Sequence, residues 1–126
     1  MKSAFVIQIS AISGFLAVAF GAFGAHALKQ RLSSEMLAIY HTAVEYQFIH
    51  TLALLVVGLL IQIWGKSTPL TVSAIAFSFG IVVFSGSLYL LSLTGIRWLG
   101  AITPIGGIAF LIGWASLLVA AFEINS

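Results

Sequence analysis

Leu52-Ala53-Leu54-Leu55-Val56-Val57 is a run of six apolar residues with no polar break. A strand of a membrane barrel alternates apolar and polar residues with period two, and this run does not. Backbone N–H and C=O groups in hydrocarbon must be paired internally, which leaves helices or a closed barrel. If the surrounding solvent is lipid, the run is the middle of a helix.

Composition says that the solvent is lipid. The chain has 126 residues, of which 61% are hydrophobic and 6% charged. Soluble domains carry about 25% charged residues, so a water-facing surface of ordinary polarity cannot be built here. Working outward from the central run, four apolar stretches are each near the roughly 20 residues that cross a hydrocarbon core. They predict transmembrane helices over about residues 4–26, 46–64, 70–93 and 103–122. The fold class is therefore all-α: an integral membrane four-helix bundle, one membrane domain spanning residues 1–126.

Between the first two helices lies the longest polar part, Leu28–Glu45. Ser33 or Ser34 can cap a helix and Glu35 suits its first turn. A helix from Ser34 to Trp64 would measure about 46 Å, more than the membrane core. Residues 34–45 are therefore expected as a short interfacial helix in the headgroup region, either continuous with the second helix or bent from it. The other connections are short: Gly65-Lys66-Ser67-Thr68-Pro69, and Thr94-Gly95-Ile96-Arg97-Trp98. Thr103-Pro104 reads as an N-cap followed by proline at the first helical position. Lys2, the apolar run after it and Ala25-His26-Ala27 have the outline of a signal peptide. The run is longer than a signal core, so a retained first helix is expected, with cleavage the alternative.

The five cations, Lys2, Lys29, Arg31, Lys66 and Arg97, are scattered, and the formal net charge is +2. No nucleic-acid partner is expected from that pattern. Four spans put Lys29, Arg31 and Arg97 on one side, which three-against-two favours as cytoplasmic. There is no cysteine, which excludes disulfides, thiolate metal sites and cysteine nucleophiles. No HExxH, Gly-x-Ser-x-Gly or phosphate loop occurs. No enzyme, cofactor, metal or catalytic residue is expected.

Small residues recur at helical spacing. Ser10, Gly14, Ala17, Gly21 and Ala25 mark one face of the first helix; Gly106, Ala109, Gly113, Ser116 and Ala120 mark one of the fourth. Such faces let backbones approach closely. Packing within the chain is the preferred reading and a homo-oligomer interface the other.

Four short motifs resemble those of one family. They are Gly21-Ala22-Phe23-Gly24-Ala25-His26 with Leu28; Glu45-Tyr46-Gln47-Phe48-Ile49-His50-Thr51; Phe84-Ser85-Gly86-Ser87-Leu88-Tyr89; and Ala101-Ile102-Thr103-Pro104-Ile105-Gly106-Gly107 with Gly113-Trp114. In this order they resemble the YgdD-like, or transmembrane protein 256, family, a domain of unknown function. The resemblance covers nearly the whole chain. It implies a four-helix protein of the bacterial inner membrane, mitochondrial in animals, and implies no activity. Some members carry His where Gln47 stands and Gln where Glu45 stands, which weighs against a family-wide mechanism needing charge at Glu45.

The unusual polar residues gather at one end. His26, Lys29, Arg31, Glu45, Gln47, His50, Tyr89, Arg97 and Thr103 surround one shallow polar pocket in this reading. Three uses compete. The plainest is an interhelical clasp in which His50, Gln47, Glu45 and Tyr89 hydrogen-bond across helices, because polar groups in lipid need partners whatever the function. The preferred functional one is a site for an anionic lipid or small anion, at cations beside the start of the fourth helix. The third is proton or ion movement through an oligomer, with histidine and glutamate as titrating groups. Membrane lipids are the expected partners. A homo-oligomer, or a role as structural or accessory subunit of a larger membrane complex, is the alternative.

Overall fold

A computed structural model describes residues 1–124. Four helices in it are long and apolar enough to cross a membrane: α1 (Ser3–Leu28), α2 (Ser34–Trp64), α3 (Thr68–Thr94) and α4 (Arg97–Glu123). Their ends follow local chemistry. Ser33 Oγ accepts from the Met36 N–H at 3.1 Å, and Ser67 Oγ from that of Leu70 at 3.3 Å. Each satisfies a donor that the helix cannot. Gly65 (φ 85°) and Gly95 (φ 74°) end α2 and α3 in conformations that other residues rarely adopt.

The expected short interfacial helix is not a separate element. Ser34–Trp64 is one continuous α-helix. Ala38–Glu45 contains no glycine or proline to break it. Packing also holds it: Tyr40 and Val44 are buried with Leu28, and Ala43 with Leu88, Leu91 and Leu99. The expected N-cap at Thr103 is also corrected. Residues Arg97–Ala101 form a 3₁₀ turn, and Ile102 occupies the cap position without a side-chain bond.

Two π-helical turns interrupt the ladders, Gly24–Leu28 at the end of α1 and Ile81–Ser85 within α3. A π turn inserts an extra residue and changes which side chains face a neighbour. The helices pack in a zigzag: α1 and α3 flank α2, and α2 and α4 flank α3. Leu54, Val57, Leu70 and Phe77 are fully enclosed along the central pair. Large apolar side chains cover the outside, with Phe15 and Phe122 each 75% exposed. In water such a surface would associate; in hydrocarbon it is solvated.

The small-residue faces are used inside the chain. Ser10, Ser13 and Ala17 are buried, and Gly14 and Gly21 sit against Thr51 and Val44 of α2. On α4, Gly106 meets the backbone of Phe84: a Cβ there would lie 2.7 Å from Phe84 Cα. Gly113 meets the ring of Phe77 in the same way. Only residues this small permit helices to approach so closely.

Candidate functional site

Five of the nine polar residues fall into four separate bonded groups, and the other four make no side-chain bond. Gln47 is the centre of the first. Its Oε1 accepts from Tyr89 OH at 2.6 Å, and its Nε2 donates to Ser13 O at 2.9 Å. Ser13 Oγ in turn lies 2.6 Å from Thr51 Oγ1. The amide thus ties α1, α2 and α3 together with both of its ends occupied. Ser13 and Thr51 were absent from the sequence-predicted set. The signal for Ser13 was present, since it shares a helix face with Ser10 and Ala17.

His50 belongs to a second group, between α2 and α4. Its Nε2 lies 3.1 Å from Trp114 Nε1 and its Nδ1 lies 2.9 Å from Tyr46 O. An indole N–H can only donate, so Nε2 is the acceptor. Nδ1 must then carry the proton and donate to the Tyr46 carbonyl, which selects one neutral tautomer. The ring stacks on Phe110, with centroids 3.5 Å apart and planes 8° from parallel. Tyr46, Phe84, Phe110 and Trp114 line a groove beside it, of about 520 Å³, between α2 and α4.

Thr103 and Arg97 form the third and fourth groups. The Thr103 hydroxyl lies 2.6 Å from Ser87 Oγ, linking α4 to α3. Arg97 makes a two-pronged pair with Glu35, at 2.9 and 3.4 Å, with both side chains well exposed. The guanidinium is thereby committed to a carboxylate of this chain. Ser85 Oγ donates to Ala43 O and Ser73 Oγ to Gly113 O, two further cross-helix bonds. Among the described residues, no buried side-chain N or O atom lacks a partner.

His26, Lys29, Arg31 and Glu45 are exposed and carry no side-chain bond. The first three cluster at the end of α1. The chain turns there on bonds of 3.0 Å from both Arg31 N and Leu32 N to Leu28 O. Tyr40 reaches back to this end: its hydroxyl donates to Phe20 O at 2.6 Å, and its ring occupies the space that a Cβ at Gly24 would need. The rings of Phe20 and Tyr40 each meet Tyr89 edge-on, at 5.1 and 5.4 Å. Above them Phe20, Phe23, Leu28, Tyr40, Tyr89 and Leu93 line a cleft of about 170 Å³ between α1 and α3. Among the described residues, no three His, Asp or Glu side chains are grouped to hold a metal.

A polytopic helical membrane protein is thus defined, the buried polar side chains of its described residues paired within the chain and Lys29, Arg31 and Glu45 exposed. The chain belongs to the family described as protein of unknown function (DUF423), which matches residues 20–107. The UPF0382 membrane protein YwdK of Bacillus subtilis is 48% identical over 118 residues, 93% of this chain and 95% of that protein. A UPF0382 membrane protein of Staphylococcus saprophyticus is 44% identical over 120 residues, 94% of this chain and 97% of that one. The UPF0382 inner membrane protein YgdD of Escherichia coli is 41% identical over 129 residues, 99% and 95% of the two chains. No solved structure matches. With four membrane-length helices and these relatives, the chain is an integral protein of the bacterial plasma membrane.

Proposed function

We propose that the protein is a non-enzymatic structural component of the membrane that associates with anionic lipid through its cationic end. The observation that carries this reading is the division of its polar groups. Buried ones are paired within the chain, whereas His26, Lys29 and Arg31 are exposed and unpaired at one end. Among the described residues no buried side chain offers a spare donor or acceptor, which gives little purchase to a soluble substrate. Exposed cations at headgroup level attract anionic lipid by about 1 kcal/mol each.

The placement of that end at the headgroups follows from length. Trp64 suits one interface. Glu45 lies about 28 Å from it along α2, close to the full thickness of a hydrocarbon core. The first three turns of α2 then stand among headgroups, and the Arg97–Glu35 pair with them. Because Glu35 occupies Arg97, the lipid site of this reading uses Lys29 and Arg31 rather than Arg97 or Thr103. Native mass spectrometry of protein released with lipids retained tests it. The Lys29→Ala/Arg31→Ala variant should lose anionic phospholipid adducts that the parent keeps; equal adducts in both would refute the reading.

A second reading, an accessory subunit of a membrane complex, draws on Glu45. It is exposed and unpartnered on α2 at the edge of the hydrocarbon, where a cation of a neighbouring chain would pair with it. Pull-down from native membranes with Glu45→Gln as control separates it, since a discrete protein partner lost in the variant would favour the subunit. Proton movement has less support, because both ring nitrogens of His50 are already bonded.

A further inference from the structure

We infer that the cleft between α1 and α3 seats one acyl chain of an anionic phospholipid whose phosphate is held by Lys29 and Arg31; this rests on the lipid reading above and gives it a place. Two independent features meet there. The cleft wall is built from Phe20, Phe23, Leu28, Tyr40, Tyr89 and Leu93. The Tyr89 hydroxyl points to Gln47 and that of Tyr40 to Phe20 O, so both tyrosines present ring rather than hydroxyl to the space. That chemistry fits a hydrocarbon chain and not a polar solute.

The cations stand at the end of the same wall. Leu28 lines the cleft, Lys29 follows it directly, and Arg31 is held by its backbone bond to Leu28 O. Both side chains are exposed and neither has an acidic partner, unlike Arg97. An orientation signal alone would need cations anywhere in the loop. Here they directly follow the end of an apolar cleft in the helix that forms one of its walls, the arrangement that a headgroup and its chain require. The geometry depends on Gly24: without a Cβ it admits the Tyr40 ring, which is part of the cleft wall.

The test uses the full-length protein in phosphatidylcholine vesicles containing a minority of phosphatidylglycerol with a photoreactive group in one acyl chain. Labelled residues are mapped by peptide mass spectrometry. Labels should concentrate on Phe20, Phe23 and Leu93 over outward-facing Phe15, Val82 and Leu111. The Lys29→Ala/Arg31→Ala variant should lower that labelling roughly 25-fold, from about fivefold per basic residue near an anionic surface. If the variant loses bound phosphatidylglycerol while labels in the parent spread evenly over all outer faces, the cleft is overturned and the lipid reading stands. If neither labels nor binding respond to the variant, both fall. Phosphatidylcholine carrying the same photoreactive chain and labelling the cleft equally would also overturn the proposal. Mapping on the parent protein needs no variant to fold; Leu93→Trp, which fills the cleft from an exposed position, should abolish labelling at Phe20 and Phe23.

Discussion

Trp114 Nε1 donates to His50 Nε2 across 3.1 Å, a side-chain bond that joins α4 to α2. The two residues are 64 apart in the chain, and the bond determines the tautomer of the histidine as well as the approach of the helices.

Trp114→Phe keeps an aromatic ring but removes the donor. Cross-helix hydrogen bonds in membranes are worth about 0.6 kcal/mol on average and at most about 1.7. The variant should therefore lose stability within that range, read as a modest fall in Tm in detergent. In the parent, nitrogen NMR of His50 should show a protonated Nδ1 and a bare Nε2; the reverse tautomer would contradict the geometry.

The Gln47 clasp allows a sharper comparison. Tyr89→Phe removes one bond, whereas Gln47→Leu removes the bonds to Tyr89 and Ser13 at once. Gln47→Leu should cost more, because it leaves the Tyr89 hydroxyl without its acceptor. A double-mutant cycle should give a coupling near 0.6 kcal/mol, measured by unfolding in mixed micelles.

Gly106 and Gly86 should respond oppositely to alanine. At Gly106 the added Cβ meets the backbone of Phe84, which cannot move aside as a side-chain tip would. Overpacking of this kind costs about 1–3 kcal/mol and should separate α3 from α4. At Gly86 the Cβ meets nothing within 4 Å. Alanine there should stabilise the helix, by up to about 1 kcal/mol. Thermal unfolding of the pair checks both signs.

Glu35→Gln releases Arg97 from its exposed pair. Tm should not change measurably, since exposed ion pairs contribute little. Anionic lipid retention should rise, because the guanidinium freed from Glu35 can bind phosphate at headgroup level. A fall in retention would count against the cationic end as the lipid-binding one.

The four helices were legible because apolar length and helical period are local properties, visible in Leu52–Val57 and in the spacing of Gly14, Ala17 and Gly21. Of the expected clasp, the bond between Gln47 and Tyr89 was legible, since polar groups in lipid must meet, whereas Glu45 and His50 lie outside it. The partner of His50 was not legible. Which side chain faces which across two helices depends on their rotation, and His50 on α2 and Trp114 on α4 lie 64 residues apart with no local pattern to set it. The pairing of Arg97 with Glu35 was hidden for a related reason. It needs α2 to continue through residues 34–45, and length relative to the membrane left open whether that segment continues the helix or bends from it. Burial of Tyr40, Ala43 and Val44 by distant residues keeps the helix whole.

The most direct measurement is the lipid composition that leaves the membrane with the protein. Extracted in a minimum of detergent, the parent protein should carry anionic phospholipid enriched over the bulk membrane, with the enrichment removed by Lys29→Ala/Arg31→Ala. Bound lipid that matches the bulk composition in both proteins would contradict the account.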